Sequence, residues 1–96
     1  MKVRWTTPAL RDLEAIGDFI ERDNSAAVAA RVVTAILDQV DLLAAHPHLG
    51  RAGRVPGTRE LVVADTPFIA PYRVRDAEVE ILAVFHGARQ WPEKFD

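Results

Sequence analysis

The sequence predicts an α+β domain, a two-layer sandwich of order β-α-α-β-β-β with two helices on one face of a mainly antiparallel sheet. Three observations carry that expectation. The first half holds two stretches with helical apolar spacing, and the second half holds three short strand-like runs separated by turn residues. A chain of 96 residues has room for one core, so residues 1–96 read as a single domain. Hydrophobic residues make up 49% of it, enough to fill that core and too many for a disordered chain.

Met1, Val3 and Trp5 alternate with Lys2, Arg4 and Thr6, the period of a short half-buried strand. Thr6, Thr7 and Pro8 then form a helix start, a capping hydroxyl followed by a proline in the first turn. Leu10, Leu13, Ile16 and Ile20 line one side of that helix, with Arg11, Glu14, Asp18 and Arg22 opposite. Asp23-Asn24-Ser25 interrupts the pattern and caps a second helix, from Ala26 to about Ala45. Its inner stripe is Val28, Val32, Ile36, Val40 and Leu43, widened by Val33, Leu37 and Ala44. Polar residues keep only a narrow strip at Arg31, Thr34, Asp38 and Asp41, so this helix is expected to touch more than one neighbour. Pro47 ends it near His46.

Residues 46–58, rich in Gly and Pro, read as loop. Strands are expected at Arg59–Ala64, Phe68–Arg75 and Val79–His86, joined by turns at Asp65-Thr66-Pro67 and Asp76-Ala77. Ile81–Phe85 is apolar on both faces, as in a central strand. Pro71 cannot donate to a ladder, which predicts an edge or a bulge there. Tyr72 shares a face with Phe68 and Val74 and is expected in the core, while Arg73 and Arg75 share the other face. Arg59 is expected to pair across the sheet with Glu80 or Asp65, or to serve function.

Composition excludes several classes. There is no cysteine, hence no disulfide scaffold, thiolate nucleophile or Cys-based zinc site. His46 and His48 form an HxH without a third ligand nearby, so no metal or other cofactor is expected. Charges interrupt the first residues too often for a signal-peptide core, and no apolar run approaches the ~20 residues of a membrane span, so a cytoplasmic protein is expected. Twelve basic and 14 acidic side chains leave a formal charge of −2. A chain that tracks phosphates normally carries a basic surplus, so direct sequence-specific DNA binding is not expected.

GTREL (57–61), TPFIAPYRV (66–74) and VFHGARQWP (84–92), with PALRDLEAIGDFI (8–20) and LLAAHP (42–47) upstream, resemble the RelE/ParE toxin superfamily over nearly the whole chain. The resemblance implies a first strand lying beside the last. It also implies an antitoxin whose C-terminal segment wraps the toxin in a hetero-oligomeric complex. RelE-like members cleave mRNA on the ribosome, and ParE-like members inhibit DNA gyrase.

The residues favour the ParE-like alternative. Metal-independent RNA cleavage needs a base, an acid and cations for the phosphorane. Lysine occurs only at Lys2 and Lys94, and arginine is a poor proton shuttle. A catalytic set would have to be Arg59, Arg73, His86 and Arg89, with His86 as the one acid or base. Inhibition by binding needs only a gripping surface, and His86, Arg89, Gln90 and Trp91 supply one, since tryptophan and arginine are frequent hot spots. A ParD-like antitoxin would lay an amphipathic helix, with or without an added strand, over Val33, Leu37, Arg73, Arg75, Leu82 and Val84. A ribosome-dependent mRNA endonuclease and a non-toxic antitoxin-binding module remain the alternatives.

Overall fold

The structure is a computed structural model that describes residues 1–88 together with Pro92, Lys94 and Phe95. Strand β1 (Lys2–Trp5) leads into α1 (Thr7–Asp23) and α2 (Ala26–Asp41), which tightens into a 3-10 turn at Leu42–Ala44. Then come β2 (Arg51–Ala52), β3 (Arg59–Val62), β4 (Phe68–Arg75), β5 (Glu78–Ile81) and β6 (Phe85–His86). The sheet order is β1-β5-β4-β3-β2, with β6 pairing β4. Among the described strands only β1 and β5 run parallel. Among the described residues no helix is long and apolar enough to cross a membrane.

Local chemistry sets the helix boundaries. The Thr6 hydroxyl oxygen accepts from the Ala9 amide and the hydroxyl donates to the Ile81 carbonyl, tying the helix start to the end of β5. Ser25 caps α2 by accepting from the Val28 amide. Both helices pack on one sheet face: Ala9 and Leu13 of α1, with Ile36, Val40 and Leu43 of the second helical arm, meet Leu61, Val63, Ala70, Tyr72, Val79 and Ile81. Burying such side chains is worth about 1.5–3 kcal/mol each. Leu10 departs from the expected stripe. It is 50% exposed and Ala9 takes the inward position, because α1 presents the Ala9–Leu13–Ile16 line to the sheet.

The expected third strand, Val79–His86, is two strands separated by Leu82–Val84. Pro71 is the cause. In an extended strand one residue's N–H and C=O point to the same edge. The Pro71 carbonyl accepts from the Leu82 amide, so its missing N–H faces this neighbour strand, and the ladder fails where a donor is lacking. On the opposite edge Glu60 pairs beside Pro71 without interruption. The displaced segment is caught by α1: Asp12 Oδ2 accepts from the Val84 amide at 3.0 Å. Pro71 therefore lies on a central strand and breaks its neighbour. Ile81–Phe85 is buried throughout, as its double-sided apolar pattern predicts.

Arg59 corrects an expectation. Its guanidinium donates to the Gly50 and His48 carbonyls and pairs with neither Glu80 nor Asp65, because β3 aims it at the 46–50 loop, which folds back beside the strand. The β4–β5 turn places Asp76 at φ 54° and Ala77 at φ 59°, the hand required by a two-residue hairpin. An L-alanine there is strained, so Ala77→Gly is expected to stabilise the fold by about 1 kcal/mol. Urea unfolding checks this, and a destabilised variant would contradict it.

Candidate target-binding site

Among the described residues, two of the surface grooves and one charged face stand out once the core is closed. The first groove, of about 610 Å³, runs between α1 and the β6 end of the sheet, lined by Ile16, Phe19, Phe68, Val84 and His86. Phe19 stands 55% exposed on its rim, with the Arg22 guanidinium 5.6 Å from its ring centre. His86 pairs opposite Phe68, and the two rings meet edge to face at 5.9 Å. The Ala88 amide donates to His86 Nδ1 at 3.1 Å, which leaves Nε2 as the ring nitrogen facing away from its own backbone. Apolar lining with a few polar groups at the rim suits a side chain inserted from a protein partner.

The second groove lies between the helices, lined by Leu10, Gly17, Ala26, Ala30 and Val33. Gly17 allows the close crossing, since a Cβ there would stand 3.3 Å from Val33 Cγ2. Leu37, further along α2, is also exposed.

The sheet face away from the helices is organised by two buried carboxylates. Glu80, its side chain 5% exposed, accepts from Arg73 Nε at 2.8 Å, lies 3.3 Å from Arg75 Nε and pairs with Arg4. The Arg73 hydrogen bond, helped by Arg75 and Arg4 and opposed by burial, holds the Glu80 carboxyl below its ordinary range. Glu60, 2% exposed, accepts from Arg51 and from the Arg54 amide, and also pairs with the Arg54 guanidinium. Tyr72 is fully buried, as expected. Burial raises its pKa above 10.0, against the opposing pull of the Gly50 amide and Arg59.

These positions disperse the residues a nuclease would use. Arg59 pairs opposite Tyr72 and His86 opposite Phe68, four residues apart on β4 and on its two different sides. That is about 13 Å along the strand alone. Arg73 points to the other face, into the Glu80 cluster. Arg89, with Gln90 and Trp91, lies outside the described residues. The antitoxin-facing candidates separate as well. Val33 lines the interhelical groove, Leu37 is exposed one turn further along α2, and Arg73 and Arg75 hold Glu80. Leu82 and Val84 are buried by their own chain, because the break after β5 turns them under α1 and Phe95. Among the described residues no group of three or more His, Asp or Glu is placed to hold a metal ion. Phe19 and Asp12 were not singled out by sequence. An exposed aromatic on the polar side of an amphipathic helix is the signal that could have marked Phe19.

Fold and surface together define a toxin of the RelE/ParE superfamily. The chain is 36% identical to a chain of the chromosomal ParDE toxin–antitoxin system from P. aeruginosa, with a TM-score of 0.83, covering 90% of this chain and 95% of that one. The toxin–antitoxin complex RelBE2 from Mycobacterium tuberculosis superposes at a TM-score of 0.64 and 26% identity, covering 88% and 95% of the two chains. By sequence it is 53% identical over 92 residues to Y4kP of Sinorhizobium fredii, itself named as a candidate toxin, covering 96% of this chain and 94% of that one. It is 39% identical over 88 residues to toxin RelE2 of Caulobacter vibrioides, covering 92% and 97%. Residues 3–91 match the ParE toxins of the parDE type II toxin–antitoxin systems, and the chain belongs to that family.

Proposed function

We propose that this toxin acts by binding DNA gyrase, without cutting RNA, and that a ParD-like antitoxin neutralises it in a hetero-oligomeric complex. The observation that carries the reading is the dispersal of Arg59, Arg73 and His86 over two sheet faces and about 13 Å of strand, where phosphoryl chemistry needs them within hydrogen-bond reach of one phosphate. A binder needs no such convergence. The groove beside His86, rimmed by Phe19, supplies a concave apolar contact for the target. The interhelical groove at Val33, with Leu37 beside it, suits an amphipathic antitoxin helix. Membership of the ParE family and likeness to a ParDE chain support the same reading.

The test expresses the chain alone and follows growth, supercoiling by purified gyrase and translation-dependent mRNA cleavage. Expected are arrested growth, inhibited supercoiling and intact transcripts. Trp91→Ala and Phe19→Ala should each weaken gyrase inhibition about tenfold or more, the size of a hot-spot loss of ~1.4–2 kcal/mol. His86→Ala and Arg59→Ala leave transcripts as they were. Cleavage that disappears in His86→Ala would overturn the proposal in favour of an endonuclease.

A further inference from the structure

The outer sheet face gathers a positive charge that the composition conceals. Lys2, Arg4, Arg51, Arg54, Arg73 and Arg75 are arranged there around Glu60, Glu78 and Glu80. Among the described residues these six cations against three carboxylates leave a surplus of three, in a chain whose formal charge is −2, so all remaining side chains together carry −5. The two buried carboxylates, Glu60 and Glu80, act as templates. Each collects guanidiniums from different segments and fixes them side by side, Glu80 from β1 and β4 and Glu60 from β2 and the loop after it. The templates sit two strands apart, about 10 Å. Arg51 on the edge strand β2 and Arg75 at the end of β4 remain 55% exposed. Their donor-rich planar heads are held ready, so a ligand meets them at little further entropic cost.

We propose that this array docks an acidic peptide segment, carboxylate-rich and extended along the sheet face, contributed by the antitoxin. The inference rests on the antitoxin reading above and adds a second contact, separate from the interhelical groove. A surplus of three matches a short run of Asp and Glu. It falls far short of a nucleic-acid strand with a phosphate at every nucleotide, and the −5 elsewhere repels any polyanion that runs beyond the face. Single-stranded nucleic acid is also gripped by exposed aromatic platforms. Among the described residues this face carries no fully exposed one: Tyr72 is buried toward the helices, and Phe85 is buried and stacked on Phe95, which is itself half-buried. The exposed apolar side chain alternating with Glu60 is Val62, a contact suited to peptide.

The test measures fluorescence anisotropy of a labelled octaglutamate peptide and of an oligothymidine octamer against the full chain, from low to physiological salt. The peptide is expected to bind and the oligonucleotide to bind at least tenfold more weakly. Peptide affinity should fall with salt, and about tenfold in Arg51→Ala/Arg75→Ala, with no change in Arg31→Ala on the exposed side of α2. Preference for the oligonucleotide, no binding of the peptide, or equal loss in Arg31→Ala overturns the proposal. With the neighbouring-frame antitoxin, association should slow about tenfold in Arg51→Ala/Arg75→Ala at low salt. A partner that binds but ignores both salt and these arginines would sink this inference and leave the antitoxin reading intact. Failure of any partner to bind would sink that reading, while the peptide measurement still decides this one.

Discussion

Glu80→Ala is expected to cost about 1.5–3 kcal/mol of unfolding free energy at pH 7, the loss of charge-assisted hydrogen bonds whose arginine partners stay partly solvated. The carboxylate is the common acceptor for Arg73, Arg75 and Arg4. Without it three guanidiniums are left facing one another, and Arg73, the least exposed, loses its Nε partner inside the fold. Glu80→Gln preserves shape and one acceptor but removes the charge, so roughly half the loss is expected. Urea denaturation measures both, and a change below about 1 kcal/mol in Glu80→Ala would show that the cluster is merely tolerated. Acid gives an independent check. The folded-state pKa of Glu80 is depressed, so the folded protein binds fewer protons than the unfolded chain just below the ordinary value of 4.5. The stabilisation is complete above that value and is lost as the pH falls through the folded-state pKa. The wild-type urea midpoint should therefore drop more steeply below about pH 4.5 than that of Glu80→Gln.

These carboxylates also show where sequence reasoning stops. Alternation in Glu78-Val79-Glu80-Ile81 puts the acids on the polar side of a strand, and that is where they are. The burial of Glu80 comes from Arg73 and Arg75 across the β4–β5 hairpin and from Arg4 of β1, which lies far away in the chain and reaches it only through the parallel pairing of β1 with β5. Features set by nearest neighbours were legible: the Thr6 and Ser25 caps, the stop before Pro47, the Asp76-Ala77 turn and the inward face of Tyr72. The break at Leu82–Val84 was not, since its causes are a missing donor on Pro71 and a carboxylate on Asp12, one strand and one helix away. Strand β2, with two residues, is too short to leave a periodic signal. In the site, His86 was placed correctly at a sheet end, but its groove depends on Phe19, which reaches it only through the packing of α1. Burial of Leu82 and Val84 was legible in their apolar run, but the break that turns them under their own chain and away from a partner was not.

Gly50→Ala should destabilise the fold by about 2–3 kcal/mol, although the change is one methyl group on a loop. A Cβ at Gly50 would stand 2.6 Å from Tyr72 Cε1 and 2.9 Å from the Glu60 carbonyl oxygen. Neither can yield easily. The Glu60 oxygen is backbone, and the Tyr72 hydroxyl is fixed twice, donating to the Pro47 carbonyl and accepting from the Gly50 amide, both at 2.8 Å. Tyr72→Phe keeps the ring but leaves the buried Gly50 amide without that acceptor, a loss of about 1–3 kcal/mol. Tyr72→Leu removes the clashing ring edge, so Gly50→Ala should cost clearly less in that background. A double-mutant cycle reads this as a coupling energy of about 1 kcal/mol or more, and additive losses would refute the contact. The same pin fixes where residues 51–54 begin, and with them the arginines that grip Glu60. Gly50→Ala should therefore also weaken octaglutamate binding while every charge on the outer face is retained. That outcome would separate the placement of the arginines from their mere presence.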